Sequence, residues 1–175
     1  MVVASRCLTG VPCRYDGTAH PCRALARVME VADIVDVCPE VGLGMPVPRE
    51  PVRLVLVGGS RRLVQPSTGR DLTEDADRFS AAFLDMLGRI DGFMLKEASP
   101  SCGVMGAPLF ASIDAREPSG YGPGAFTAPA LRRHRSSAVA TEMDLEDEDV
   151  LRSFIKEILA GRTPCDILPD ERQNR

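Results

Sequence analysis

The sequence has no tryptophan, two tyrosines and six phenylalanines in 175 residues. So few aromatic faces exclude stacking on a run of nucleic-acid bases as the main activity. It also lacks an excess of positive charge: 21 Lys and Arg face 25 Asp and Glu, giving a net charge of −4 and a pI near 5.3. A broad phosphate-binding surface needs the opposite balance, so no nucleic-acid polymer is expected as a partner, although local basic groups still suit a small anion. No apolar run approaches the ~20 residues that cross a bilayer, so no membrane partner is expected either. Met1 to Cys7 has neither a basic lead nor a long apolar stretch, which reads as a first strand rather than a secretory signal. A cytoplasmic location is the default expectation. With His20 and His134 as the only histidines, a Ser–His or Cys–His pair has little material to draw on. His134, between Arg133 and Arg135, reads as solvated.

The chain is long enough for one domain with a single buried core. Residues 1–161 read as that domain and 162–175 as a polar tail. Val2 to Ser5 reads as a buried strand, followed by a loop through Gly17 and a helix from near Pro21 with Leu25, Val28 and Met29 on its apolar face. Ile34 to Val37 is the next strand, ending at Cys38-Pro39-Glu40. Gly58-Gly59 divides two apolar runs in the manner of a hairpin. Asp71 or Thr73 suits the start of a helix whose period-3.6 face is Ala76, Phe79, Phe83, Met86, Leu87 and Ile90. Phe93 to Lys96 and Ser137 to Ala140 read as strands, Ser119 to Gly124 as a loop, and Thr127 as the start of a short helix. A final helix over 145–160 carries Val150, Leu151, Phe154, Ile155, Ile158 and Leu159 on one stripe. Strands alternating with helices predict an α/β domain with a mostly parallel, Rossmann-like sheet and helices on both faces.

Six cysteines are present, and a reducing compartment points clustered cysteines toward metal or catalysis rather than disulfides. Their alternative is a small buried hydrophobe. Position separates the two. In parallel sheets ligands sit beyond the carboxyl ends of the strands, and Cys7, Cys38 and Cys102 each follow a predicted strand. Five residues stand between Cys7 and Cys13, too many for a zinc knuckle. Cys22 precedes Leu25 by one helical turn and reads as core; Cys165, in the tail, reads as incidental. Thiolates are soft ligands suited to zinc, copper(I) or iron–sulfur clusters. The Gly120-Tyr121-Gly122-Pro123-Gly124 run lacks the lysine of a phosphate loop and reads as a lining or lid.

Four ordered segments carry a resemblance: Cys7-Leu8-Thr9-Gly10-Val11-Pro12-Cys13-Arg14-Tyr15-Asp16-Gly17, Cys38-Pro39-Glu40-Val41 with Gly42 to Arg49, Asp71-Leu72-Thr73-Glu74, and Lys96-Glu97-Ala98-Ser99-Pro100-Ser101-Cys102-Gly103. Together they resemble the DUF523 family over about residues 3–142, leaving the last helix outside. The resemblance implies an enzyme similar to thiouracil desulfidase, with a 4Fe–4S cluster held by three cysteines and one iron open to the substrate's sulfur. Its pattern has four cysteines, here Cys7, Cys13, Cys38 and Cys102, for three ligand places. Cys7 and Cys102 are assigned as ligands, and the strand-end position favours Cys38 over Cys13. Cys13 remains either a ligand or a thiol that receives or relays sulfur.

Glu40 is the acid/base candidate, since a partly desolvated carboxylate beside a cluster is suited to passing protons; its alternative is a helix-start carboxylate. Ser101 is read as orienting water or bonding a substrate carbonyl, or equally as capping a turn. Arg14 or Arg49 suits an anionic or carbonyl edge of a ligand, unless each pairs with Asp16, Glu50 or Glu97 to brace a loop. Lys96 and Glu97 are read as structural. The expected partner is a small thiolated molecule, and the oligomeric state is left open. The rival readings are an iron–sulfur or metal-binding sensor of iron or redox state without catalysis, and a structural zinc site.

Overall fold

A strand covered on both faces must be apolar at each position, and Val2, Val3 and Ala4 meet that demand with no exposed area. The computed structural model describes residues 1–160. The predicted tail at 162–175 and Cys165 lie outside the described residues. In chain order the elements are β1 (Val2–Ser5), α1 (Ala24–Met29), β2 (Ile34–Val37), α2 (Pro39–Gly42), β3 (Arg53–Val57), β4 (Ser60–Gln65), β5 (Arg70–Asp71), α3 (Thr73–Leu87), β6 (Gly92–Leu95), β7 (Ala107–Phe110), β8 (Gly120–Gly122), α4 (Thr127–Arg133), β9 (Ala138–Thr141) and α5 (Glu148–Ala160).

The first sheet has the order β2-β1-β6-β9, and its pairings are all parallel. Alternate residues feed opposite faces. Val2, Ala4, Met94 and Ala140 pack with Leu25 and Val28 of α1 and with Leu151, Phe154 and Ile158 of α5. Val3, Phe93 and Leu95 pack with Leu84 of α3 and Ala130 of α4. Helices thus cover both faces of a parallel sheet, as the alternation of elements predicts.

A second sheet, β5-β4-β3-β7-β8, mixes directions. Its β3–β4 hairpin turns on Gly58 and Gly59 at φ of 57° and 79°, the left-handed pair a two-residue turn demands. Only this hairpin is legible in the sequence. β7 contains a proline and β5 is two residues long, so neither carries a strand pattern. Gly120 to Gly122, expected as loop, pairs with β7 as β8.

α3 joins the two sheets, with Ala76 in the core beneath β3 and β4 and Leu84 in the core beneath β1 and β6. Asp71 Oδ1 accepts the Thr73 amide at 2.9 Å, while Thr73 Oγ1 accepts the Leu63 amide. Four predicted face residues differ. Met29 and Met86 are 60% and 77% exposed, and Val150 and Leu159 are also exposed, because each lies at the margin of a stripe whose centre faces the sheet. Helix α1 starts at Ala24, so Pro21 stands before it. No described helix is long and apolar enough to cross a membrane.

Candidate active site

All four parallel strands deliver polar or thiol groups at their carboxyl ends. β1 runs into a 3-10 turn, Arg6–Thr9, that carries Cys7, and Gly10 closes the turn at φ 92°. β2 ends at Cys38, the N-cap of α2, with Pro39 in the first helical position and Glu40 behind it. β6 leads into the Lys96–Gly103 loop, and β9 ends beside Glu142. Cys7, Cys13, Cys38 and Cys102 line one cavity of about 330 Å³, with Glu40, Arg49 and Lys96 in its wall. That volume sits near the lower end of the roughly 300–1,000 Å³ usual for small-molecule sites.

Burial pushes the Cys7 thiol up to about 11 and the Cys13 thiol up to about 12, and raises Cys102 as well. Each of these thiols also feels Cys38, which raises it further. As free groups they hold their protons at neutral pH and are poor nucleophiles. A bound metal reverses that, because a coordinated thiol is deprotonated outright. Among the described residues no three His, Cys, Asp or Glu side chains form a group fit for a single metal ion. A polynuclear cluster takes one thiolate per iron, so its ligands stand apart around it. Four soft donors facing one cavity, near enough to feel one another's charge, fit such a cluster and do not fit the structural zinc reading.

Glu40 is buried, with both carboxylate oxygens engaged. Ser101 Oγ donates to Oε1 at 2.9 Å, and Arg49 Nε donates to Oε2 at 2.8 Å. The same guanidinium donates through Nη2 to the Cys13 carbonyl at 3.0 Å and through Nη1 to the Pro46 carbonyl at 3.3 Å. Arg49 Nη2 also lies 3.9 Å from Cys38 Sγ. The pairing of Arg49 with Glu50 or Glu97 offered by the sequence is corrected: its partner is Glu40. Ser101 Oγ does not cap a turn; Ser99 does that, its Oγ accepting the amides of Ser101 and Cys102.

The Cys102 loop is fastened by residues 124–127, of which Gly124 alone belongs to the run the sequence offers as a lid. The amides of Gly124, Ala125 and Phe126 donate to the carbonyls of Gly103, Pro100 and Ser101, and Thr127 Oγ1 donates to the Cys102 carbonyl at 2.8 Å. A Cβ on Gly124 would stand 2.4 Å from the Ser101 carbonyl carbon. The glycine-rich run is the available signal for this close approach. Thr127 gives no signal.

Lys96 is half of a buried pair. Its ammonium contacts Glu142 Oε1, and Glu142 Oε2 accepts the Glu97 amide at 2.8 Å. Glu142 lies at the edge of the recognisable motifs, and nothing in the sequence singles it out. Arg14 lies 3.5 Å from Asp16, whose carboxyl the Thr18 hydroxyl and amide hold down at about 2. Cys22 packs on the first core and lines a separate cavity with His20, apart from the four-thiol cavity. His134 is not solvated: its ring packs edge-on against Phe93 at 5.8 Å, and its Nε2 is buried.

A family model described as 2-thiouracil desulfurase matches residues 2–143. YbbK, an uncharacterized protein of Bacillus subtilis (strain 168), is 30% identical over 155 residues, covering 84% of this chain and 99% of the relative. A solved structure of the 4Fe–4S-dependent thiouracil desulfidase TudS is 28% identical, has a TM-score of 0.63, and covers 87% of this chain and 97% of that one.

Proposed function

This chain belongs to the 2-thiouracil desulfurase family, and on that premise we propose that it is a desulfidase that hydrolyses a small thiolated heterocycle such as 2-thiouracil. The observation that carries the reading is the convergence of four thiols with an anchored carboxylate in one cavity. The similar protein TudS is a 4Fe–4S-dependent enzyme, which supports the same cofactor here. Cys7, Cys38 and Cys102 are the proposed ligands, with Cys13 as the fourth cluster-lining thiol. When bound, a cluster held by three thiolates supplies a thiophilic Lewis-acidic iron with an open position for the substrate's sulfur.

The protein's own groups handle protons and orientation. The net reaction exchanges C=S for C=O: water supplies the oxygen, the sulfur leaves as hydrosulfide with one water proton, the other proton passes to solvent, and no oxidant or reductant is consumed. Glu40 is the proposed base that takes a proton from the attacking water and the acid that returns it to the departing sulfur. Its two donors fix the carboxylate so that it spends no freedom on reaching its place. Ser101, hydrogen-bonded to Glu40, is proposed to orient the water.

The test is anaerobic purification and cluster reconstitution, iron and sulfide assay, then incubation with 2-thiouracil. About four irons per chain, with uracil and sulfide released, is the expected result. Absence of iron, or a single zinc, overturns the cluster; a full cluster that consumes no thiolated base overturns the catalysis and favours a sensor.

A further inference from the structure

Four cationic side chains line the four-thiol cavity: Arg6, Arg14, Arg49 and Lys96. Arg49 is committed to the wall. It uses Nε, Nη1 and Nη2 on Glu40, Pro46 and Cys13. Arg6 and Arg14 face Asp36 and Asp16 at 3.4 and 3.5 Å and are more open to solvent, their side chains 42% and 27% exposed.

Lys96 differs. An ammonium has three N–H donors, and two are used, on Glu142 Oε1 and on the Glu97 carbonyl at 3.2 Å. The third has no partner among the described residues, and Lys96 lines the cavity. The side chain is only 18% exposed and the Glu142 carboxylate 5%. Lys96 is also fixed at its backbone, where its amide donates to Ser5 Oγ at 2.9 Å and the next amide donates to Glu142. Two residues on, Ala98 takes a left-handed φ of 56°, a conformation that costs a non-glycine residue energy and gathers at functional loops. Lys96 and Cys7 line the same cavity. Burying an ion pair carries a desolvation cost that an apolar pair would avoid. An open donor beside the substrate gives that cost a use.

We propose that Lys96 selects the substrate: its third N–H donates to a ring carbonyl oxygen, so the preferred substrates are thiolated rings that also carry an oxo group, with Glu142 as the positioning residue. This rests on the desulfidase reading above. A site built to donate to a substrate oxygen rejects the analogue without it, because the buried donor is then left unpaired. One charge-assisted hydrogen bond corresponds to roughly 10- to 150-fold.

The experiment compares 2-thiouracil with 2-thiopyrimidine, which lacks the oxo group, and in parallel measures binding of uracil and pyrimidin-2-one. All use reconstituted protein of checked iron content. Because Lys96→Met alone strands a buried carboxylate, the paired variant Lys96→Met with Glu142→Gln is measured alongside it. Wild type is expected to favour the oxo ring by that factor, in kcat/KM and in binding. In both variants the preference is expected to collapse toward one, with iron and sulfide content unchanged. A preference that survives in the variants, or that wild type never shows, overturns the proposal. If no thiolated base is consumed by any protein, the desulfidase reading fails, while the binding ratio still decides the role of Lys96.

Discussion

Ser101 and Glu40, 61 residues apart in sequence, meet through a 2.9 Å hydrogen bond inside the protein. The bond joins the loop after β6 to the start of the helix after β2, and so joins the neighbourhoods of Cys102 and Cys38. Arg49 completes the arrangement from the other side by tying Glu40 to the Cys13 loop. One carboxylate therefore holds three of the cysteine-bearing segments in register.

Glu40→Gln removes the proton-transfer group but keeps the size of the side chain. Turnover of 2-thiouracil is expected to fall roughly 10²- to 10⁴-fold, with iron content and cluster absorbance unchanged. Full activity in this variant would remove Glu40 from its role.

Arg49→Met leaves the buried Glu40 without its counter-ion. Breaking one side of a buried pair costs about 3–5 kcal/mol, read as a lower urea midpoint. Stability equal to wild type would show that the pair does not hold the site together.

Cys102→Ala is expected to abolish cluster absorbance, and Cys7→Ala likewise. Of Cys13→Ala and Cys38→Ala, the second is expected to lose iron and the first to keep it. The opposite pattern would exchange their assignments.

Gly124→Ala places a Cβ against the Ser101 backbone, which cannot move aside as a flexible side chain would. Overpacking costs about 1–3 kcal/mol, and the displaced loop carries Ser101 and Cys102. Lower stability together with lower cluster yield is expected. An unaffected cluster would show that the loop tolerates the shift.

Helix α5 lies beyond residues 2–143, yet Phe154 and Ile158 are core residues of the first sheet. Phe154→Ala is expected to cost about 3–5 kcal/mol, measured by urea unfolding. A cost under about 1 kcal/mol, well short of that range, would mark the helix as a loosely held cover.

Local chemistry by itself determined the parallel sheet, the helices on both faces, and the placement of Cys7 and Cys38 just past strand ends. Each of these rests on short-range pattern: hydrophobic period, turn residues, and the position of a residue relative to its own strand. The tertiary structure decided the rest. The sequence offered Asp16, Glu50 and Glu97 as partners for Arg49, and the fold chose Glu40. It passed over Glu142, which the fold sets against Lys96 from 46 residues away. It offered residues 120–124 as a lid, and the fold pairs 120–122 with β7 and sets Gly124 against the Cys102 loop. Charge and hydrogen-bonding capacity specify that a partner is needed but not which one. Only the approach of distant strand ends makes that choice.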